Sequence, residues 1–342
     1  MNAPKGTRRV SAPESSVKES IDKVEKPRTN SILYAPVDYK HNFIPRKIGG
    51  NYVDLTGLRA ELMNHILSDE SPAPILLIGD KGTGKTQLVH DIAYELYEKG
   101  ICGGMNTMQG TYNTSDKHII GYNRLRGLEG ETVKGSAVNA IEGANLVADD
   151  GKLWIHYIDE FPNMANEPSL IYAPLLDGRR EIQTQDGTIW KLNDNAKLVI
   201  IASGNPTHYS GVQTLQEALL SRFVGFHIGQ TNEEGLREII DFKQYGIEDD
   251  VSKPLLQLVI DIHNMRTRSD VDYSISTRDV ILFCKDYHAR LNMYTPKVTA
   301  SQALQQSIEK CILFKFQTKQ ERDLIKTSIN DTFGISMSTR FY

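Results

Sequence analysis

The sequence predicts an α/β protein in which a parallel-sheet core is followed by a small all-helical domain. An apolar run, a glycine-rich turn and a helix-period segment follow one another between residues 74 and 100, which is the order that a parallel α/β unit requires. More apolar runs, separated by helical segments, continue to about residue 229. From about Thr231 the apolar residues recur mostly at helical spacing. These three observations define the fold class.

The elements of the core follow in chain order. NYVDLTGLRAELMNHILSDE has helical spacing, and GKTQLVHDIAYELYEKG is predicted as a second helix that ends at Gly100, a typical C-terminal stop. In REIQTQDGTIWKL, apolar and polar residues alternate on either side of Asp186-Gly187, which predicts a β-hairpin. Short apolar runs bounded by turn residues are typical of buried strands. Strands are therefore expected at PILLIG, ICGGMNTMQ, KLWIHYID, AKLVIIAS and VGFHI.

The bulk composition is that of an ordinary globular protein. The chain has 342 residues, of which 39% are hydrophobic and 24% charged, and its net charge is -4. The whole chain is therefore not expected to bind polyanions, although a local basic patch is compatible with these values. Residues 1–35 are rich in Ser, Pro, Lys and Glu and poor in large apolar residues, which predicts a disordered N-terminal arm.

Cysteine usage and hydropathy predict a cytoplasmic protein. The three cysteines, Cys102, Cys284 and Cys311, are widely spaced and show no metal-binding or redox pattern. We expect buried free thiols in a reducing compartment. The sequence has no apolar run of about 18 residues, so no membrane span is expected. The N-terminal segment is basic but has no apolar core, unlike a secretory signal.

A glycine-rich loop gives the strongest functional signal. GDKGTGKT matches the pattern G-x-x-x-x-G-K-[ST] between a predicted strand and a predicted helix. In such a P-loop the glycines let backbone N–H groups surround phosphates at the positive end of a helix. We expect Lys85 to neutralise the β- and γ-phosphates of ATP and Thr86 to ligate Mg²⁺. The candidate phosphate-binding residues are Gly79, Asp80, Lys81, Gly82, Thr83, Gly84, Lys85 and Thr86.

Two adjacent carboxylates end the predicted strand LWIHYID. We expect Asp159 to hold Mg²⁺ and Glu160 to polarise the attacking water. Because kinases of the P-loop class do not need a second carboxylate to activate water, this pair favours hydrolysis. His156 lies inside the strand and is expected to be a packed core residue rather than a ligand.

Three more polar residues complete the candidate site. Asn205 follows AKLVIIAS and would orient the lytic water, with a simple Asn-Pro turn as the alternative. Arg222 lies in EALLSRF, before a predicted strand; an arginine supplied in trans accelerates phosphoryl transfer by about 10³–10⁵. Arg278 begins a helix of the second domain, from which it would reach back to the nucleotide.

In this order the elements resemble those of the AAA+ ATPases. The finer resemblance is to the MoxR group, with its CbbQ, NorQ and GvpN relatives, within the dynein-related ATPases. HIIGYNRLRG and ETVKGSAVNAIEGA look like the helix-2 insert of that group, and PSLIYAPLLDGRREIQ looks like the helix end before its pre-sensor-1 hairpin. Around Arg222 the sequence reads Ser-Arg-Phe, where the family usually has Asp-Arg-Phe. The matching motifs are Walker A at Gly79–Thr86, Walker B at Ile158-Asp159-Glu160, sensor 1 at Asn205, the arginine finger at Arg222 and sensor 2 at Arg278.

The resemblance implies a domain division and an assembly. Residues 36–230 would form the AAA+ nucleotide-binding domain with the insert and the hairpin, residues 231–318 a helical lid domain, and residues 319–342 a C-terminal tail. Arg222 would serve the neighbouring subunit, so activity would require a homo-oligomeric ring, usually a hexamer. Relatives often act on protein clients together with a partner that carries a von Willebrand factor A domain.

Competing functions stay open at this point. The leading hypothesis is a chaperone that uses Mg-ATP to remodel or activate proteins. A DNA-directed motor or loader is the alternative from another class, and the stretches at Lys117–Arg126, Arg179-Arg180 and Lys191 are mildly basic. A structural-assembly ATPase of the GvpN kind is not separated from the first hypothesis. A small-molecule kinase is the poorest alternative, because it would not need Glu160, Asn205 and Arg222 together.

Overall fold

The computed structural model describes residues 43–44, 47–68, 72–126, 129–184, 186–206, 215–293 and 298–337. The N-terminal arm predicted over residues 1–35 lies outside these residues. Among the residues described, no helix has the length and apolarity needed to cross a membrane.

The described strands and helices alternate through the first two thirds of the chain, and helices follow. The strands are β1 (Lys47–Ile48), β2 (Asn51–Tyr52), β3 (Ile75–Gly79), β4 (Cys102–Gln109), β5 (Gly121–Arg126), β6 (Glu129–Lys134), β7 (Leu153–Asp159), β8 (Glu181–Gln183), β9 (Ile189–Lys191), β10 (Lys197–Gly204) and β11 (Val224–Ile228). The helices are α1 (Val53–Thr56), α2 (Leu58–Ser68), α3 (Lys85–Glu98), α4 (Asp116–Ile119), α5 (Ser136–Val147), α6 (Asn166–Leu170), α7 (Ala173–Leu176), α8 (Glu217–Leu220), α9 (Glu233–Ile239), α10 (Asp249–Thr267), α11 (Thr277–Asn292), α12 (Ala300–Cys311) and α13 (Lys319–Phe333).

A five-stranded parallel sheet forms the core, as the sequence predicts. The strand order is β11-β3-β10-β7-β4, and every neighbouring pair is parallel. β10 lies between β3 and β7, with Gly204 paired to Ile78 and Ala202 paired to Ile158. The carboxyl ends of these three strands therefore meet at one edge, which is where open α/β sheets place their ligands.

Both faces of the central strands β3, β7 and β10 are covered, which explains why these strands are mostly apolar. On β7, Trp154 and Ile158 pack in a core with α5, whereas Ile155 and Tyr157 pack on the opposite face with α2 and α3. His156 is completely buried, as expected for a core residue, and its Nε2 lies 3.2 Å from the hydroxyl of Tyr172.

Two hairpins extend from the α/β core. β5 and β6 pair in antiparallel register between α4 and α5, within the segment that resembles the helix-2 insert. β8 and β9 form the hairpin that the sequence predicts around Asp186-Gly187. Gly187 has a φ of 85°, which a residue with a β-carbon rarely adopts.

The helical region has a hydrophobic core of its own, built from α9 to α13. α13 continues this region through Phe333, with Ile325 and Ile329 fully buried, in the segment that the domain division assigns to a C-terminal tail. The sequence signal for α13 is weak because only a narrow apolar stripe interrupts its charged residues. All three cysteines are free and buried, as expected.

Burial gives His156 a defined effect on stability. Burial lowers the pKa of this imidazole from 6.5 to about 4, so the folded protein keeps it neutral while the unfolded chain takes up a proton below about pH 6.5. Acidification therefore favours unfolding. We expect the wild type to lose about 2 kcal/mol more unfolding free energy than His156→Gln between about pH 7.5 and pH 5.

Urea unfolding of both proteins across this pH range measures the difference. His227→Gln, which replaces an exposed histidine on β11, controls for the loss of a histidine as such. Identical pH slopes for the wild type and His156→Gln would contradict the expectation.

Candidate nucleotide site

The glycine-rich loop connects the end of β3 to the start of α3. Gly82 and Gly84 have φ angles of 77° and 89°, a left-handed conformation that glycine adopts at no steric cost. Gly84 is the N-cap of α3, so the backbone N–H groups of the first turn face the loop and favour an anion there. The loop opens on a cavity of about 810 Å³, a size typical of ligand pockets.

Lys85 lies at the floor of this cavity. Its Nζ donates to the carbonyl oxygens of Gly79 at 2.7 Å and Asp80 at 2.9 Å, and to Oδ1 of Asn205 at 3.2 Å. Burial lowers the pKa of the ammonium group, and the nearby carboxylates of Glu160 and Asp159 oppose this shift. Neutral acceptors hold the ammonium group in place, so its charge is available to an anionic ligand.

Thr86 and Asp159 come together across the sheet edge. Thr86 Oγ1 donates to Asp159 Oδ2 at 3.0 Å. A hydroxyl and a carboxylate are ligands that suit Mg²⁺, which is usually bound by one or two protein oxygens together with waters and phosphates. The donor set therefore fits the metal expected at this position.

Glu160 has an unusual backbone conformation. Its φ of 55° places a residue with a β-carbon in the left-handed region, which costs about 1–3 kcal/mol and is concentrated at functional sites. Its Oε2 accepts hydrogen bonds from Nδ2 of Asn205 and from Nδ2 of Asn163, each at 3.0 Å. Two amides therefore fix the direction of the carboxylate.

The structure separates the two candidate arginines. Arg278, in the first turn of α11, lines the same cavity as Lys85 and Glu160. Arg222 follows α8, is not among the residues that line this cavity, and lies beside Asp177, with 3.5 Å from Nη2 to Oδ2. Among the candidate site residues, all of which the structure describes, Arg222 alone lies away from the cavity and its glycine-rich loop.

Three residues missed in the sequence also contact the site. Asn163, in the Phe-Pro-Asn that follows the carboxylate pair, fixes Glu160, and no sequence pattern marks it. Gln230 Nε2 donates to Asp80 Oδ2 at 2.7 Å, and Ser276 packs on Gly82 so closely that a β-carbon there would lie 2.4 Å from its Cβ. The helical region therefore touches the loop directly.

Comparison with known proteins agrees with this geometry. Residues 74–223 match the family model described as AAA domain (dynein-related subfamily). This segment contains the glycine-rich loop, the carboxylate pair and Asn205. The fold, the site and the match together define an ATPase that carries an AAA+ domain.

The other comparisons add little to this assignment. The chain is similar to the crystal structure of a Cytophaga hutchinsonii ATCC 33406 protein provisionally described as an ATPase, with 16% identity, 92% of this chain and 94% of that chain covered, and a TM-score of 0.37. No curated protein sequence matches the chain.

Glu160 gives the sharpest test of the site. Glu160→Gln keeps the shape and the amide contacts of the side chain but removes a carboxylate that accepts a proton. We expect the steady-state ATPase rate to fall by about 10²–10⁴, while a fluorescent ATP analogue still binds with the wild-type affinity. The matched control is Glu167→Gln, an exposed glutamate on α6, which should keep the wild-type rate. Full activity of Glu160→Gln would exclude Glu160 as the base.

Proposed function

We propose that the protein is a MoxR-type AAA+ ATPase that forms a ring and uses Mg-ATP hydrolysis to remodel or activate protein clients. The position of Arg222 carries the proposal. Its side chain is partly exposed outside the cavity, and its Nε has no hydrogen-bond acceptor among the described residues. An arginine held at the surface away from its own nucleotide suits a role at the site of a neighbouring subunit.

The proposed reaction is in-line hydrolysis of the γ-phosphate. Lys85 and the N–H groups of the loop bind the β- and γ-phosphates, and Asn205 orients the attacking water with Glu160. As the water oxygen bonds to phosphorus, Glu160 takes the water proton and the bond to the β–γ bridging oxygen breaks, leaving ADP and phosphate. Mg²⁺ held by Thr86 and Asp159 would neutralise the charge on the phosphates.

Two basic side chains complete the proposed site. Arg222 of the neighbouring subunit stabilises the charge that develops on the transferred phosphate. Arg278 approaches from the helical region, so the nucleotide is contacted from both parts of the chain. The ring would expose the β5–β6 and β8–β9 hairpins as client-contacting elements, since both extend from the sheet rather than pack within it.

Subunit mixing tests whether Arg222 acts in trans. Arg222→Ala alone should lower the ATPase rate by about 10³-fold or more. Mixed with Glu160→Gln subunits, it should regain up to about a quarter of the wild-type rate, because random heterologous pairing places an intact Glu160 beside an intact Arg222 at one interface in four.

The control mixture pairs Arg222→Ala with the double variant Arg222→Ala/Glu160→Gln, which supplies no arginine and should give no recovery. If the first mixture is also inactive although the subunits co-assemble, Arg222 does not act in trans.

A trap identifies the client. Glu160→Gln, which should hold ATP without cleaving it, is used to capture partners from native extract with Mg-ATP, followed by nuclease and mass spectrometry. We expect a protein, for example one with a von Willebrand factor A domain, that resists nuclease and is not captured by Lys85→Ala. The purified partner should also change the wild-type ATPase rate. Association with nucleic acid alone, lost on nuclease treatment, would replace the proposal with a DNA-directed motor.

A further inference from the structure

One carboxylate oxygen of Asp159 accepts a hydrogen bond from a buried serine. Ser203, on β10, is completely buried, and its Oγ donates to Asp159 Oδ1 at 2.6 Å. The backbone N–H of Glu160 donates to the same oxygen at 3.0 Å. Oδ1 therefore has two donors, and Oδ2, which faces Thr86, is the oxygen that remains available to a metal ion.

A tyrosine extends this contact into the core. Tyr157 precedes Asp159 by two residues on β7, so both side chains point to the same face of the sheet. The Tyr157 hydroxyl lies 2.9 Å from Ser203 Oγ and 3.4 Å from Thr86 Oγ1. It is therefore in contact with the partners of both oxygens of Asp159.

Counting protons fixes the direction of these hydrogen bonds. Ser203 and Thr86 each have one hydroxyl proton, and both protons are donated to the carboxylate of Asp159, which has none of its own when ionised. The bond between Tyr157 and Ser203 must then be donated by Tyr157. A phenol has an ordinary pKa of about 10, so Tyr157 has a proton to donate at neutral pH. The chain of hydroxyls is polarised towards Asp159.

We propose that Tyr157 and Ser203 are positioning residues that orient Asp159 and Thr86 for Mg²⁺ through this chain of hydroxyl groups. The inference rests on the metal-binding role proposed for Asp159 and Thr86. Neither Tyr157 nor Ser203 is among the residues that line the cavity. Outer contacts of this kind fix the direction of metal ligands, and their loss typically costs about 10- to 100-fold in metal affinity.

The same strand links both carboxylates of the site. Ser203 and Asn205 are two residues apart on β10 and just beyond it, with Ser203 bonded to Asp159 and Asn205 bonded to Glu160. A shift of β10 relative to β7 would therefore misplace the metal ligand and the proposed base together. This arrangement distinguishes Ser203 from an ordinary packing residue.

The experiment measures metal dependence separately from nucleotide binding. Tyr157→Phe, Ser203→Ala and the double variant are titrated with Mn²⁺ in the presence of ATP, and bound Mn²⁺ is followed by electron paramagnetic resonance. The half-saturating Mn²⁺ concentration should rise about 10-fold or more for Ser203→Ala, while the affinity for ATP in EDTA stays at the wild-type value. In the Ser203→Ala background, Tyr157→Phe should have a smaller effect than in the wild type, because the shorter hydrogen bond of Tyr157, to Ser203, is already lost and only its 3.4 Å contact with Thr86 remains.

Matched controls remove similar buried groups elsewhere. Tyr172→Phe deletes a buried hydroxyl that pairs with His156, and Ser307→Ala deletes a buried serine bonded to Asp286 at 2.9 Å. Both should leave the Mn²⁺ titration unchanged even where they lower the melting temperature. A metal dependence that follows the melting temperature across all four substitutions would overturn the proposal.

Asp159→Asn and Thr86→Ala separate this inference from the metal role on which it rests. If both shift the Mn²⁺ titration but Tyr157→Phe and Ser203→Ala do not, the positioning role is wrong and the metal site stands. If neither Asp159→Asn nor Thr86→Ala shifts it, the proposed metal site itself is wrong. Tyr157→Phe changes only one atom, so it provides the test even if Ser203→Ala does not fold.

Discussion

The site depends on the insertion of β10 between β3 and β7. This strand order places the glycine-rich loop, the carboxylate pair and Asn205 at neighbouring carboxyl ends, although they are far apart in the sequence. Because strands in a sheet lie about 4.8 Å apart, side chains at these ends reach one another directly. The hydrogen bonds from Lys85 to Asn205 and from Asn205 to Glu160 are the consequence.

Electrostatic balance follows from the same arrangement. Lys85 is buried among carbonyl oxygens, and burial alone would disfavour its charge. The nearby carboxylates of Glu160 and Asp159, at the end of β7, favour the charged form of Lys85 and so oppose the effect of burial. A buried cation beside two anions offers a charge of opposite sign to each part of a ligand made of a polyphosphate and a divalent cation.

The sequence predicts this fold well because its strongest signals are local. The loop pattern, the apolar strands and the Asp186-Gly187 hairpin each depend on a few consecutive residues, and the structure has each of them. The contact of Asn163 with Glu160 is also local, but it was missed because a single amide after a proline has no pattern to mark it.

Long-range contacts were beyond prediction for a physical reason. Ser203 and Tyr157 look like ordinary members of buried strands until strand register brings their hydroxyls to within 2.9 Å of each other. The contact of Gln230 with Asp80 spans 150 positions of the sequence. α13 was missed because its stability comes from packing on a core formed by other helices rather than from its own composition.

The contact between Gly82 and Ser276 couples the position of the glycine-rich loop to the orientation of α11. Ser276 is the N-cap of this 16-residue helix, which at 1.5 Å per residue is about 24 Å long. A side chain cannot be inserted at Gly82 without displacing Ser276, so the loop and the first residue of the helix would move together. A tilt of α11 by about 10° about its amino end moves its carboxyl end by about 4 Å. A small change in the position of the glycine-rich loop would therefore be magnified at the carboxyl end of α11.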